Sequence, residues 1–352
     1  MPEQTVSVLG GGSFGTVLAN IIAGNGFRVN FWMRNSELVE QVNALHENPQ
    51  YLPGYSLDHK VHATDDILRA VSGSRTVFVA VPSAYFRTVV RKLKPAVSED
   101  TILVSTTKGI EAGSFLLMSQ ILQQELPQSP TGVLSGPNLA GEIATRSLTG
   151  TVIASSSESV RERVREVLRS DYFRVYTNDD MFGVELGGSL KNIYAIIAGL
   201  ASAMGMGQNT NSMLITRSLT EMARFGRELG ADPMTFLGLA GVGDLIVTCS
   251  SSLSRNFRVG FALGQGKSLQ EAVAELGQVA EGVNTLKQVK EKADQLGIYM
   301  PLASGLYKIV YEGYAVDQVI SALMHGEGAL DVEYEASRSK QLTGASACPT
   351  NS

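Results

Sequence analysis

From residue 5 to residue 177 the chain alternates short apolar runs with stretches whose apolar residues recur every three to four positions. The runs TVSVL (5–9), RVNFWM (28–33), TVFVAV (76–81), TILVSTT (101–107), TGVLS (131–135), TVIAS (151–155) and FRVYT (173–177) have the length and β-branched content of strands. Between them TVLANIIAGN, AYFRTVVRKL, SFLLMSQILQQ and ESVRERVREVLRS carry helical spacing. Such alternation builds a sheet that is mostly parallel with helices on both faces, so residues 1–180 are expected to form a doubly wound α/β domain. Beyond residue 180 the strand signal stops. LKNIYAIIAGLASAM, SMLITRSLTEMARFGREL, LQEAVAEL, TLKQVKEKADQLG and AVDQVISALMH predict an all-α C-terminal domain over 181–333. Residues 334–352 are polar and are expected to be a disordered tail.

Composition narrows the partners. A chain of 352 residues with net charge −5 and no long basic run lacks the electrostatic footprint of a nucleic-acid or membrane-surface binder. A small molecule is the expected partner. The apolar stretch near 193–206 is broken by Gly and Ser and is short for a bilayer span, so no membrane insertion is expected. Cys249 and Cys348 lie far apart, one of them in the polar tail, which argues against a disulfide scaffold and for a reducing cytoplasm. The first residues run directly into a strand pattern and show no signal peptide.

Directly after the first strand run comes Gly10-Gly11-Gly12-Ser13-Phe14-Gly15, a G-x-G-x-x-G pattern opening a helix. In a dinucleotide site Gly10 makes the tight turn, Gly12 lets backbone approach a pyrophosphate, and Gly15 lets helix and strand pack closely. The second strand run ends in Trp32-Met33-Arg34, with no acid for a ribose 2′-hydroxyl and an arginine suited to a 2′-phosphate, so NADP is expected to be accepted beside NAD. Ligands of such sheets lie outside the carboxyl ends of the strands. Val81-Pro82-Ser83, Thr106-Thr107-Lys108-Gly109 and Ser135-Gly136-Pro137-Asn138 stand at three of those ends, and Lys108 is a cation suited to a phosphate or oxyanion there.

A dehydrogenase also needs a group that exchanges the hydroxyl proton. Of the histidines, His59 and His62 sit in a D-H-x-x-H patch (58–62) that is expected to be a solvated loop, and no further ligand completes a metal set. Lys191 is a better candidate. On a helix its face holds Gly187, Gly188, Ala195 and Ala198, which predicts a hollow around the amine, while Ile193, Ile196, Ile197 and Leu200 pack elsewhere. A partly desolvated lysine has its pKa lowered toward neutrality; a stem snorkelling to water would instead show bulk and exposure. The segment 241–256, GVGDLIVTCSSSLSRN, is expected to be a polar loop leading into a helix and rich in donors for a phosphate. Its Asp244 could hold the lysine ammonium or a substrate hydroxyl.

Taken together, VLGGGSFGTVLA, VPS, TTKGIE, LSGPNLAGEIA, FRVYTNDDMFGVELGGSLKNIYAIIAGL, NTNSMLITRSLTEM, GLAGVGDLIVTC, SRNFRVG and VAEGVNT occur in the order found in the bacterial type of NAD(P)-dependent sn-glycerol-3-phosphate dehydrogenase, which the chain resembles to about residue 330. The resemblance implies a Rossmann domain followed by the helical one. It also implies reversible reduction of dihydroxyacetone phosphate by NADPH or NADH to sn-glycerol 3-phosphate, the backbone of phospholipids, without a metal. It makes Lys191 the general acid and base, with Asn192 setting its surroundings. Lys108, Gly136, Asn138, Asp244, Ser254, Arg255 and Asn256 become substrate contacts, Arg255 and Asn256 toward the phosphate. Gly10, Gly12, Ser13, Phe14, Gly15, Arg34, Lys108, Ala140, Arg255, Val279 and Glu281 become cofactor contacts, and a homodimer is implied. Asn138 stands where Ser or Thr is common, and Ser189 where alanine is common. A ketopantoate or β-hydroxyacid reductase would lack the Ser254-Arg255-Asn256 phosphate site; a noncatalytic NAD(P) sensor would need neither that site nor Lys191.

Overall fold

A computed structural model describes residues 4–276 and 280–325; Val279, Cys348 and the expected tail lie outside the described residues. The strands are β1 (Thr5–Leu9), β2 (Arg28–Trp32), β3 (Glu47–Asn48), β4 (Leu52–Ser56), β5 (Val61–Thr64), β6 (Thr76–Val79), β7 (Ile102–Ser105), β8 (Thr131–Ser135), β9 (Thr149–Ala154) and β10 (Phe173–Asn178). Among them run α1 (Ser13–Gly24), α2 (Ser36–Leu45), α3 (Ile67–Val71), α4 (Ser83–Leu93), α5 (Met118–Glu125), α6 (Ala140–Ala144) and α7 (Glu158–Leu168). The helical half follows with α8 (Met181–Ala203), α9 (Gln208–Glu228), α10 (Asp244–Ser250), α11 (Arg255–Gly264), α12 (Leu269–Leu276), α13 (Glu281–Leu296), α14 (Pro301–Tyr311) and α15 (Val316–Met324).

The main sheet has the order β10-β9-β8-β7-β6-β1-β2-β5. Its pairings are parallel except β8 with β9, where Val133 faces Ala154. All seven expected strands are present. They read as near-continuous apolar runs because both faces are covered: Val8, Phe31 and Phe78 pack with Leu18 and Val164 on one side, and Val77, Val79 and Leu103 pack with Phe86 and Ile121 on the other. The expected loop over 58–62 holds only in part, because His62 belongs to β5 and pairs with Asn30 of β2. Four residues at a sheet edge, two of them polar, are too short a pattern to register.

Helix α8 carries the second half. Asp180 caps it by accepting the Gly183 N–H at 2.8 Å, and the same carboxylate accepts the Thr235 hydroxyl at 2.7 Å. Buried carboxylates then fasten its neighbours. Glu185 accepts the Ser119 N–H (3.0 Å) at the start of α5, while Glu221 accepts the Leu302 N–H (2.6 Å) at the start of α14 and the Tyr194 hydroxyl (3.1 Å). Leu190, Ile193 and Tyr194 of α8 pack with Phe225, Leu286, Val289 and Leu306 in the helical core, and Val184 meets Val133 and Val152 of the sheet. Among the described residues no helix is long and apolar enough to cross a membrane.

Helices α8 and α11 touch backbone to backbone. A Cβ on Gly260 would fall 1.8 Å from the Ile196 carbonyl oxygen, and one on Gly199 would fall 1.9 Å from that of Phe257. Neither carbonyl can retreat without unwinding a helix. Gly260→Ala is therefore expected to destabilise the protein by about 3 kcal/mol or more, read from urea unfolding. Gly24→Ala, whose added carbon would meet nothing within 4 Å, should be close to neutral; equal effects of the two would contradict this packing.

Candidate active site

The glycine turn between β1 and α1 uses each of its glycines differently. Gly10 has φ +126°, and a Cβ there would lie 2.4 Å from the Ala80 carbonyl oxygen at the end of β6. On Gly15 a Cβ would lie 2.0 Å from the Gly10 oxygen, whereas on Gly12 it would meet nothing within 4 Å. Gly12 therefore faces open space at the start of α1, which has no side-chain cap and so presents free amides. These residues fit a pyrophosphate. Ser13 donates its hydroxyl to the Tyr51 carbonyl at 2.8 Å, and Phe14 is half-buried against the sheet core. Asn48, which the sequence did not single out, holds the turn from below by donating to Gly11 O (2.9 Å) and Thr16 Oγ1 (2.8 Å). Arg34 follows β2, is exposed, and lies 5.8 Å over the Tyr85 ring.

Lys191 is 5 % exposed, and its ammonium donates to Asp244 Oδ1 and, at 2.6 Å, to Thr248 Oγ1. Asp244 is 1 % exposed and also accepts Lys108 Nζ on Oδ2 at 2.6 Å, while Lys108 donates to the Gly136 carbonyl at 3.1 Å. One carboxylate thus serves two cations. The small face of α8 is not the hollow that its composition suggested, because other groups move into the room the glycines leave. Gly187 lets the Ala240 carbonyl and the Phe236 ring approach; Gly188 admits Ser135 Oγ and the Lys108 stem. The stretch around Asp244 is likewise not a loop. Leu239–Gly243 forms a π turn and Asp244 begins α10, so that Asp244 and Thr248, one turn apart, both face the amine.

Burial pushes the Lys191 pKa down, to about 7; Asp244 opposes that fall and the charge of Lys108 adds to it. Cys249, next to Thr248, has its thiol pushed up to about 12 by burial and is no nucleophile.

Asn256 and Glu281 form a seam beside this cluster, and the other candidates make contacts of their own. Asn256 donates to Asn192 Oδ1 at 2.9 Å and accepts the Gly282 N–H at 3.0 Å. Glu281 accepts both the N–H (3.2 Å) and the hydroxyl (2.6 Å) of Ser83, beyond the end of β6. Burial raises its pKa, against the Ser83 bonds and the charge of Arg255. Ser254 caps α11, accepting the Phe257 N–H at 3.3 Å, and Arg255 begins that helix with an exposed side chain. Asn138 donates to Thr151 Oγ1 at 2.8 Å; Ala140 begins α6 and is half-buried. Lys108, Gly136, Lys191 and Asp244 are thus bonded directly, and Asn256 and Glu281 are brought to the adjoining seam. The glycine turn and Arg34 stand apart, at β1 and β2. Thr248 and Thr151 join the site without a role expected of them, since a lone hydroxyl carries no pattern in sequence, and Ser83, noted only as part of a strand-end VPS segment, proves to be the partner of Glu281.

Comparison with known proteins shows the family. Residues 5–161 match the N-terminal family of NAD-dependent glycerol-3-phosphate dehydrogenase, and residues 180–321 match its C-terminal family. The chain belongs to the NAD-dependent glycerol-3-phosphate dehydrogenase family. It is 56 % identical over 333 residues to the glycerol-3-phosphate dehydrogenase [NAD(P)+] of Saccharophagus degradans, covering 95 % of this chain and 93 % of that one. The enzyme of the same name from Alcanivorax borkumensis is 54 % identical, with 95 % and 97 % covered. The crystal structure of the Coxiella burnetii glycerol-3-phosphate dehydrogenase superposes with a TM-score of 0.88 at 38 % identity, over 92 % of this chain and 99 % of that one. A glycerol-3-phosphate dehydrogenase of this family is an NAD(P)-dependent oxidoreductase, and the glycine turn of this chain suits that cofactor.

In this dehydrogenase the charge balance around the amine is open to measurement. Asp244→Asn removes the carboxylate that opposes burial, so the Lys191 ammonium should lose its proton at a pH clearly below about 7. Titration of the ε-carbon resonance of labelled lysine reads this directly. An unshifted midpoint would show that Asp244 does not hold the proton there.

Proposed function

We propose that Lys191 is the general acid and base of a reversible, NAD(P)H-dependent reduction of dihydroxyacetone phosphate to sn-glycerol 3-phosphate, the glycerophospholipid backbone. The observation that carries this reading is a buried amine sharing one carboxylate with a second lysine at the carboxyl edge of the sheet. In this reading residues 1–180 hold the cofactor through Gly10, Gly12, Ser13, Phe14, Gly15, Arg34, Lys108 and Ala140, with Arg255 and Glu281 contributing from residues 181–333; Val279, the other expected contact, lies outside the described residues. The nicotinamide, when bound, supplies or takes the hydride.

The chain's own residues do the rest. Arg255, the Ser254 hydroxyl, the Asn256 amide and the first N–H groups of α11 clamp the phosphate and so fix the carbonyl carbon. With both lysines protonated, Asp244 offsets one of two positive charges and the other is left for the oxygen on which negative charge develops. Lys191 gives that oxygen its proton, and the resulting amine is the neutral form that removes a proton from the alcohol in the opposite direction. A pKa near 7 lets one group do both at neutral pH. The same reading places the enzyme in the cytoplasm as a homodimer; a single species of monomer mass in sedimentation would reject the dimer.

Purified protein mixed with NADPH and dihydroxyacetone phosphate should lose reduced-nicotinamide absorbance, and folded, cofactor-bound protein that fails to do so would end this reading. Lys191→Ala is expected to lower kcat by about 10³-fold while leaving cofactor affinity intact; normal turnover would remove its role. Arg255→Ala should chiefly raise KM for the phosphate substrate, and Arg34→Ala should lower the preference for NADPH over NADH. The pH profile has a defined sign. Oxidation of glycerol 3-phosphate needs the neutral amine, so its kcat/KM should rise as pH increases through about 7, whereas reduction needs the ammonium and should fall over the same range.

A further inference from the structure

Two buried oxygens at the carboxyl end of β8 have no hydrogen-bond partner: Ser135 Oγ and Asn138 Oδ1. A shielded acceptor without a donor costs about 1–3 kcal/mol, which calls for a reason. The two stand on either side of Gly136, whose carbonyl receives Lys108, so the orphaned atoms belong to the margin of the lysine cluster. Which atom of the Asn138 amide is free is decided by its neighbour. Thr151 in β9 has a single hydroxyl proton and donates it to the Ser135 carbonyl at 3.0 Å. Its oxygen can then only accept from Asn138, 2.8 Å away. The group facing Thr151 must therefore be the amide NH2, and the group left over must be the carbonyl oxygen.

We propose that Thr151 is a specificity-positioning residue, which turns the Asn138 amide so that its Oδ1 accepts a hydrogen bond from the free terminal hydroxyl of the three-carbon substrate. The inference rests on the substrate reading above. An acceptor has nothing to offer a phosphate dianion or a ketone oxygen, both of which are acceptors themselves. Dihydroxyacetone phosphate with its phosphate fully ionised carries one donor, the hydroxyl on the carbon away from the phosphate. A serine or threonine at position 138 could donate as well as accept and would read that end less strictly. The asparagine, once locked by Thr151, presents its carbonyl oxygen, which only accepts.

The test compares dihydroxyacetone phosphate with hydroxyacetone phosphate, which has a methyl group in place of the terminal hydroxymethyl and so lacks that hydroxyl. The unmodified enzyme should favour the former in kcat/KM by about 10- to 100-fold. Thr151→Val keeps the side-chain shape and frees the amide to turn; discrimination should fall several-fold, with KM for NADPH unchanged. Thr151→Ser, which keeps the hydroxyl, should restore it. Should the valine variant fail to fold, Asn138→Ser measures the same quantity and should also discriminate less. Equal loss on both substrates in Thr151→Val or Asn138→Ser, or no discrimination by the unmodified enzyme, would overturn this proposal while leaving the dehydrogenase reading in place. Absence of any activity on dihydroxyacetone phosphate would instead overturn the reading beneath it.

Discussion

A single carboxylate held between two lysine ammonium groups organises this molecule. Asp244 is all but inaccessible to solvent and meets Lys191 from α8 and Lys108 from the end of β7. Charges withdrawn from water so completely are tolerated only when paired and hydrogen-bonded, and here the pairing is deliberately uneven. Two cations against one anion leave a surplus that no group among the described residues at the carboxylate cancels. Burial weakens the hold of Lys191 on its proton, the charge of Lys108 adds to that, and the surplus gives an anionic substrate a reason to enter.

Packing around α8 serves that triad. The helix must run close to the sheet edge, the π turn and α11 at once, and side chains of ordinary size would hold those backbones apart. Gly187 and Gly188 admit the Ala240 carbonyl and the Lys108 stem; Gly199 and Gly260 bring α8 and α11 into backbone contact, carrying Asn256 to Asn192. Ser189 contributes a further tie, accepting the Gly109 N–H at 3.0 Å, so the chain just after Lys108 is fixed to the helix that bears Lys191. The backbones that bear the two lysines are thereby fixed against each other, and the Asp244 carboxylate holds their amines together.

Strand and helix periodicity carried most of the architecture. Seven strands of the main sheet, the long helices and the glycine turn were legible because each repeats a local pattern over enough residues. Elements with little pattern were not. β5 is short and half polar, α14 contains Gly305 where a Cβ would press on Val319, and α10 hides in a run that glycine and serine mark as a turn. Within the site, Lys191 stood out as a cation on an apolar helix, whereas Thr248, Ser83 and Thr151 are single hydroxyls whose significance comes wholly from what lies opposite.

By itself the sequence determined that an amine would be buried, that a glycine turn would open the first helix, and that a helical half would follow the sheet. It did so because hydrophobic spacing and backbone freedom are local properties. Only the tertiary structure decided what surrounds the amine. Composition suggested empty room around it, and the folded chain filled that room with a carboxylate, a hydroxyl and a second lysine from segments up to 140 residues apart, since small residues determine how near other groups can come but not which groups arrive.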